Sequence, residues 1–364
     1  MKIVQLIYSL CSGGAERFVV SLSNQLAEFG HEVHLCMLRT DNEPNNIFNK
    51  IFLNQQVHFT SLKVSEGFSF AKVKKVEQYI EGIMPDIVHC HLNVVPYIYR
   101  LALRHPSMRI FHTLHNLAPK TYSGRIQYLI NKYMYSHNYI RPITISSECT
   151  MSYQATFNLN NAKCIINGCE KVHSSDGYND VKREIAALKS SEKTPVFVHV
   201  ARFHGQKNQE MLIRCFNRLA SEGVDYRLLI IGAGFDSEEG QRLKLLSCPQ
   251  ILFLGEKSNV GDYLLNSDYF ILSSIYEGLP ISLIEAMSCG LVCISTPAGG
   301  VKDVLINDVN GFLSEDFSEA SFYNTILRAM DPVCRIDTAR IQEEYEQTYS
   351  IRVCAHNYQS HYAH

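Results

Sequence analysis

Two glutamates eight residues apart, Glu277 and Glu285, stand in the stretch SSIYEGLPISLIEAMSCG, Ser273 to Gly290. Pro280 suits the first turn of a helix and Gly290 its end. Glu277 then falls in the loop before the helix, and Glu285 in its second turn. Free N–H groups around Gly278, Leu279 and Ile281, beside Pro280, would face the carboxyl end of a sheet, where open α/β folds bind ligands. Backbone donors there hold phosphate, whereas carboxylates repel it and suit hydroxyl groups. A phosphorylated polyol or a nucleotide sugar satisfies both. A blander alternative fits the same spacing: a helix with one glutamate favourable to its dipole and one ordinary surface glutamate. Arg202 and Lys207, in VARFHGQKNQE, lie five apart on a strand-to-helix loop. Two such cations can neutralise a diphosphate and stabilise it as it leaves, or simply flank a turn. In CSGGAERF, Gly13 and Gly14 let backbone approach a ligand closely; Glu16 suits a first helical turn, and Arg17 reads as structural. FHTLHN places His112 and His115 at a strand end. With His89 and His91 they could form a metal cluster, but no carboxylate or cysteine sits beside them at ligand spacing, so no metal is expected.

The elements that must position these residues alternate from end to end. Apolar strand-like runs at Lys2–Leu10, Val33–Leu38, Val57–Leu62, Asp86–His91, Arg109–Leu114, Ile143–Ser146 and Lys163–Ile166 are separated by helical patterns such as Glu16–Phe29 and Phe70–Met84. Asn167–Thr194 breaks the pattern with Asn-Gly, Asp-Gly and a charged, serine-rich tract, and an interdomain connection is placed there. Strands then recur at Val196–Ala201, Tyr226–Ile231, Ile251–Leu254, Tyr269–Ser273 and Leu291–Ser295. Such alternation predicts two doubly wound α/β domains with parallel sheets. Only helical pattern follows Asp331-Pro332. Two more strand ends carry loops, IIGAG (Ile230–Gly234) and LGEKSNV (Leu254–Val260). The first could open a dinucleotide fingerprint, but Ser237 stands where its third glycine belongs.

A length of 364 residues allows about two domains. The apolar and charged shares, 46% and 19%, exclude a disordered or coiled-coil chain. The net charge of -2 argues against a wholly basic nucleic-acid binder, yet it averages unequal halves. Residues 1–172 hold 17 Lys+Arg against 11 Asp+Glu, and residues 173–364 hold 17 against 25. Between Leu92 and Ser147 come seven basic residues (Arg100, Arg104, Arg109, Lys120, Arg125, Lys132 and Arg141) with no acid and many interleaved tyrosines. That region is expected to meet an anionic membrane surface or a lipid-diphosphate; a basic helical surface over core tyrosines is the alternative. No apolar run approaches the roughly 20 residues that span a bilayer. The twelve cysteines form no CxxC and mostly lie in apolar segments, among them Cys36, Cys90, Cys164, Cys215 and Cys293, as core thiols in a reducing compartment do.

Glu277, Gly278, Pro280, Glu285, Ala286, Met287 and Gly290 match the pattern E-G-x-P-x-x-x-x-E-A-M/L-x-x-G, and this passage resembles the signature of glycosyltransferase family 4, retaining enzymes of the GT-B fold. The next segment, TPAGGVKDVL…NGFL from Thr296 to Leu313, matches as well. The resemblance implies two Rossmann-like domains facing a central cleft. Residues 1–172 would form the acceptor-side domain and 173–193 a linker. Residues 194–335 would bind the nucleotide sugar, and the helices of 336–364 would cross back to the first domain, with closure between domains as the gating motion. It implies transfer, with retention, of a hexosyl or N-acetylhexosaminyl group from a nucleotide diphosphate sugar, commonly UDP-linked. The acceptor would be a lipid-linked or growing surface glycan. The enzyme would be cytoplasmic or peripheral at the inner face of the plasma membrane. Neither cofactor nor metal is implied, and no Asp-x-Asp occurs.

By the same resemblance Glu285 holds the ribose hydroxyls and Glu277 lies near the transferred sugar. The backbone of Gly278, Leu279, Pro280 and Ile281 contacts sugar and diphosphate. Arg202 and Lys207 take the leaving-group charge, His115 orients the donor sugar, and Gly13 and Gly14 face the diphosphate. Gly232, Glu256 and Lys257 mark the base region. Lys207-Asn208 departs from the family's Lys-Gly, and Cys169-Glu170 from the Val-Asp that follows Asn-Gly. Rival readings are a sugar-nucleotide epimerase or phosphorylase, disfavoured by the EGLP signature, and a non-catalytic GT-B-like subunit, disfavoured by the intact Glu277, Glu285, Arg202 and Lys207.

Overall fold

Strands with no polar face must be covered on both sides, and the apolar runs form parallel strands of that kind. The computed structural model describes residues 1–65 and 67–363 and divides into two units, Met1–Glu170 with Tyr349–His364, and Lys171–Thr348. In the first unit the chain runs through β1 (Lys2–Ile7), α1 (Gly14–Glu28), β2 (Glu32–Met37), β3 (His58–Ser61), α2 (Phe70–Ile83), β4 (Ile87–His91), α3 (Tyr99–Arg104), β5 (Arg109–Leu114), α4 (Arg125–Ser136), β6 (Arg141–Thr144), α5 (Ser147–Phe157) and β7 (Lys163–Cys164). These strands pair in parallel in the order β3-β2-β1-β4-β5-β6-β7. The order reverses between β1 and β4, so the loops after both open at one switch point.

The second unit holds α6 (Tyr178–Leu188), β8 (Val196–Val200), α7 (Gln209–Ser221), β9 (Arg227–Ile231), α8 (Glu238–Leu246), β10 (Ile251–Gly255), α9 (Val260–Leu265), β11 (Tyr269–Leu272), α10 (Ile281–Ser288), β12 (Val292–Ser295), β13 (Gly311–Leu313), α11 (Glu319–Met330) and α12 (Thr338–Glu344). Its sheet order is β10-β9-β8-β11-β12-β13, again parallel, with the switch between β8 and β11. A π-helical turn, Tyr345–Tyr349, then leads into α13 (Ile351–Tyr362), which belongs to the first unit. His364, the last residue of the expected C-terminal segment, lies outside the described residues.

Three readings need correction. The helices of 336–364 do not return together, because α12 stays in the second unit and only the chain from Tyr349 belongs to the first. Residues 173–193 are not a bare connection, because α6 occupies most of them. Val181 and Ile185, one turn apart, are buried on it, and the Tyr263 hydroxyl of α9 donates to Glu184 at 3.0 Å. The charged residues that made the tract look like a linker cover the helix's outer face. Cys164 is exposed rather than in the core, because β7 is a two-residue edge strand.

α13 completes the first unit. Tyr358 and Tyr362 are fully buried on it, and Phe18 of α1 meets the Tyr358 ring at 6.0 Å. The return is pinned where the outgoing chain passes it: Cys169 N–H donates to the Tyr349 carbonyl at 3.1 Å, and Ile351 N–H to the Cys169 carbonyl at 2.8 Å. Gly168 makes the crossing possible. A Cβ there would stand 2.7 Å from the Ser350 carbonyl oxygen and 2.8 Å from that of Tyr349, both backbone atoms that cannot swing aside. Gly168→Ala should therefore cost about 1–3 kcal/mol. A melting temperature within a degree of the parent's would contradict this packing.

Candidate active site

In the second unit, the loops leaving β8 and β11 meet at the switch point. Glu277, on the β11 loop, is nearly buried, with 7% of its side chain exposed. Its carboxylate accepts from Lys207 Nζ at 2.6 Å and from Ser274 Oγ at 2.5 Å, with Gln206 Nε2 at 3.4 Å. The backbones are stitched too: Ile275 N–H donates to the Gln206 carbonyl at 2.8 Å, and Ser273 Oγ to the Lys207 carbonyl at 2.8 Å. Gly299 (φ 55°) closes the far side, and a Cβ there would overlap the Glu277 carbonyl oxygen. The sequence places Lys207 and Glu277 in one site; what it does not show is that they pair with each other. An ammonium has three N–H donors, and only the one to Glu277 has an acceptor among the described residues.

Pro280 is the N-cap of α10 rather than a first-turn residue. Gly278, Leu279, Ile281 and Ser282 have N–H groups that find no acceptor among the described residues. These are the orphan donors of a helix start, and they favour an anion. Glu285 lies half-buried in the second turn of α10, and Gly290 (φ 74°) follows the helix end. Arg202 projects into solvent while its backbone is held, since Gln209 Nε2 donates to its carbonyl at 3.0 Å. Gly232 (φ 152°) lies against that loop: a Cβ would overlap the Ala201 carbonyl, and its own N–H donates to the Gly255 carbonyl at 2.9 Å. Glu256 is exposed beside it, and Lys257 Nζ stands 5.6 Å from the Tyr263 ring centroid.

The first unit carries the remaining candidates. Gly13 caps α1 in extended backbone, and Gly14 opens the helix. The Glu16 carboxylate folds over Gly13 and accepts from the Cys11 thiol at 3.1 Å. Burial, then the Glu16 charge, push that thiol up to about 11. A carboxylate thus lines the loop offered to a diphosphate, and like charge disfavours phosphate at that spot. Arg17 is structural, its guanidinium 3.5 Å above the Phe52 ring and 3.6 Å from Glu170.

Of the four histidines, His89, His91 and His112 are buried and His115 is half-buried, and all four are hydrogen-bonded. His89 Nε2 meets Thr113 Oγ1 at 2.7 Å, and its Nδ1 meets the Tyr362 hydroxyl at 2.6 Å. His112 bonds the Tyr135 hydroxyl and the Leu92 carbonyl, both at 2.7 Å, which pins Leu92 in the left-handed region (φ 58°). His91 joins Gln5 Oε1 at 2.7 Å to His115 Nε2 at 3.0 Å. Burial holds all four below the usual histidine range, His112 at about 4 and His115 at about 3. Each ring is therefore neutral near pH 7, and His115 serves as a hydrogen-bonding group rather than as a cation.

The basic region shrinks on folding. Arg100 and Arg104 pair with Glu77 of α2 at 3.5 and 3.8 Å, and Arg104 also with Glu81 at 3.3 Å. Arg109 donates to the Tyr362 carbonyl at 2.8 Å, and Arg141 stacks over Phe111. What stays outward on α4 is Arg125 with an apolar stripe, Ile126, Leu129 and Tyr133, near Leu103 of α3. A groove of about 580 Å³ runs between those helices.

With this geometry in hand, family models match both parts of the chain: "Glycosyltransferase Family 4" over residues 12–167 and "Glycosyl transferases group 1" over residues 180–345. The chain belongs to the family 4-type glycosyltransferases of the GT-B fold. The N-acetyl-alpha-D-glucosaminyl L-malate synthase of Bacillus anthracis is 25% identical over 319 residues, covering 83% of this chain and 81% of that protein. An Escherichia coli UDP-Gal:alpha-D-GlcNAc-diphosphoundecaprenol alpha-1,3-galactosyltransferase is 26% identical, covering 72% and 69%. The crystal structure of Anabaena HepE with UDP and glucose superposes with a TM-score of 0.78 at 16% identity, covering 100% of this chain and 99% of that one. The enzyme's two parallel-sheet units are thus those of GT-B glycosyltransferases.

Spacing alone did not single out Ser274, Gln206, Gly299 or Gln5. Gln5 had a signal all the same: a polar residue at an inward position of an apolar strand. The buried histidines also fix a pH response. In the unfolded chain they titrate near 6.5, whereas burial keeps them neutral in the fold. Stability is then fully present above about pH 6.5 and lost as pH falls, by up to about 1.4 kcal/mol per pH unit for each such histidine. The first unit holds His89, His91, His112 and His115, and the second holds His199, depressed to about 4. Between pH 6.5 and 4 the first unit should open earlier, read by hydrogen exchange of its strands. Earlier opening of β8–β13 would contradict this.

Proposed function

We propose that this glycosyltransferase transfers a hexosyl or N-acetylhexosaminyl group from a UDP-sugar, with retention, to a hydroxyl of a lipid-linked or growing surface glycan. The observation that carries the reading is the second-unit site itself, where a buried Glu277–Lys207 pair stands beside the unpartnered amides that open α10. The names of relatives that act on diphosphoundecaprenol-linked sugars support the acceptor class, and the UDP bound by a structural neighbour supports the nucleotide.

In this reading the α10 amides and the free N–H bonds of Lys207 receive the diphosphate, with Arg202 reaching it from solvent. Glu285 takes the ribose hydroxyls, and Glu277 takes hydroxyls of the sugar. The bond from the sugar's anomeric carbon to the diphosphate oxygen breaks, and the acceptor oxygen bonds that carbon from the same face. The acceptor's proton passes to the leaving diphosphate, so no protein nucleophile and no metal are invoked. The protein contributes positioning and charge stabilisation.

Alanine at either member of the buried pair would strand its partner, a loss that mixes stability with chemistry. The paired variant Glu277→Gln, Lys207→Met removes both charges together. It should keep its melting transition and lose transfer by about 10²–10³-fold, the size of one lost charge stabiliser. The assay is release of UDP from a panel of UDP-sugars with lipid-linked glycan acceptors, and turnover near that of the parent would sink the assignment.

The membrane contact belongs to the same proposal. The α4 stripe with Arg125 and Lys132 is suited to an anionic lipid surface. No helix among the described residues is long and apolar enough to cross a membrane. The chain should float with vesicles of anionic lipid more than with neutral ones, and Ile126→Glu, Leu129→Glu should abolish the difference. Equal recovery from both vesicle types refutes the contact.

A further inference from the structure

His115 has one ring nitrogen engaged and one not. Its Nε2 meets His91 Nδ1 at 3.0 Å, while its Nδ1 is buried with no partner among the described residues. A neutral imidazole has one N–H donor and one acceptor, and the bond at one nitrogen decides the character of the other. The chain of bonds can be followed from its inner end. Gln5 presents its amide oxygen, an acceptor only, to His91 Nε2 at 2.7 Å. His91 must therefore carry its proton on Nε2, which leaves Nδ1 as an acceptor. His115 then donates from Nε2, and its Nδ1 is left with a lone pair.

We propose that Gln5 and His91 are positioning residues that fix the tautomer of His115, so that Nδ1 accepts a hydrogen bond from a hydroxyl of a sugar substrate. This rests on the glycosyltransferase reading above and adds what the site selects. An O–H or N–H group satisfies Nδ1, whereas a phosphate oxygen or an acetamido carbonyl would meet it lone pair to lone pair. The ring is held for this task. Phe18 of α1 packs edge-on at 5.5 Å, and His91 lies at 5.3 Å between ring centroids. The His89 ring lies tilted against His91, 4.0 Å between centroids, and His89 is tied to the Tyr362 hydroxyl of α13. The groups facing His115 are thus neutral rings, and among the described residues no carboxylate pairs with it to turn it into an imidazolium.

The experiment has two arms. In the first, long-range proton–nitrogen correlations on the full chain labelled with ¹⁵N-histidine report which nitrogen of each ring is protonated. The His115 signals are assigned by their loss in His115→Phe. The expected result at pH 7 is a protonated Nε2 and a bare Nδ1 on His115, with both tautomers populated in Gln5→Leu and in His91→Phe. A proton on Nδ1 of the parent overturns the proposal, and so does a tautomer unchanged in both variants. Gln5→Leu is nearly isosteric and leaves both rings in place, so it serves if His91→Phe does not fold.

The second arm is kinetic. Gln5→Leu should lower kcat/KM about two- to tenfold, in proportion to the fraction of His115 left in the competent tautomer, and should add nothing when His115 is already Ala. Fully additive losses would mean that Gln5 acts on the fold and not through His115. Absence of transfer from every UDP-sugar would defeat the glycosyltransferase reading instead, and the nitrogen spectra would still decide the tautomer.

Discussion

Glu277 holds a carboxylate where little water reaches it, and the arrangement of the second-unit site follows from that. A buried carboxylate is tolerated only when it is paired and hydrogen-bonded. Lys207, Ser274 and Gln206 supply those bonds, and each comes from one of the two loops at the sheet's switch point. Satisfying Glu277 therefore draws the β8 and β11 loops together. It also brings the start of α10 beside a lysine with donors to spare. Gly299 is required for the same reason, since any side chain there would push the Glu277 backbone off its position. The pair lets both charges wait in a nearly dry site without either being stranded.

The first unit solves a related problem without charge. Four imidazoles stand in and just beyond β4 and β5, where an apolar core would ordinarily be cheaper. Burial keeps each neutral; His89, His91 and His112 are engaged through hydroxyl, amide or carbonyl groups, and His115 through the His91 ring. Neutral rings avoid the large desolvation penalty of imidazolium, and their bonds carry direction, which an aliphatic core lacks. A network of this kind orders side chains as well as holding them.

Much of the architecture was legible because both sheets are parallel and buried on both faces, which writes strands as apolar runs. The glycosyltransferase signature was legible because its residues are local: Glu277, Pro280, Glu285 and Gly290 fall within one loop and one helix. What the sequence hid were relations across distance. Lys207 and Glu277 are 70 positions apart, and nothing in either segment says that they bond. Arg100 and Arg104 looked unopposed because their acids come from α2, an earlier helix. Glu16 read as a first-turn acid, but its fold-back over Gly13 depends on side-chain conformation. Helix α6 was masked by its own surface, whose charged and serine residues outnumber Val181 and Ile185.

The return of α13 bears on how the protein is made. His89 finds its hydroxyl partner 273 positions downstream, on a helix synthesised after the entire second unit. A chain emerging from the ribosome can close the Lys171–Thr348 sheet while β1–β7 still lack the helix that covers Thr113 and His89. The first unit, though made first, is finished last, and until then it exposes apolar surface and a polar network with missing members. Long-range closure of this kind slows folding and leaves an aggregation-prone interval. The order of synthesis and the order of completion are therefore opposed, and the last dozen residues of the described chain decide when the first sheet becomes a stable core.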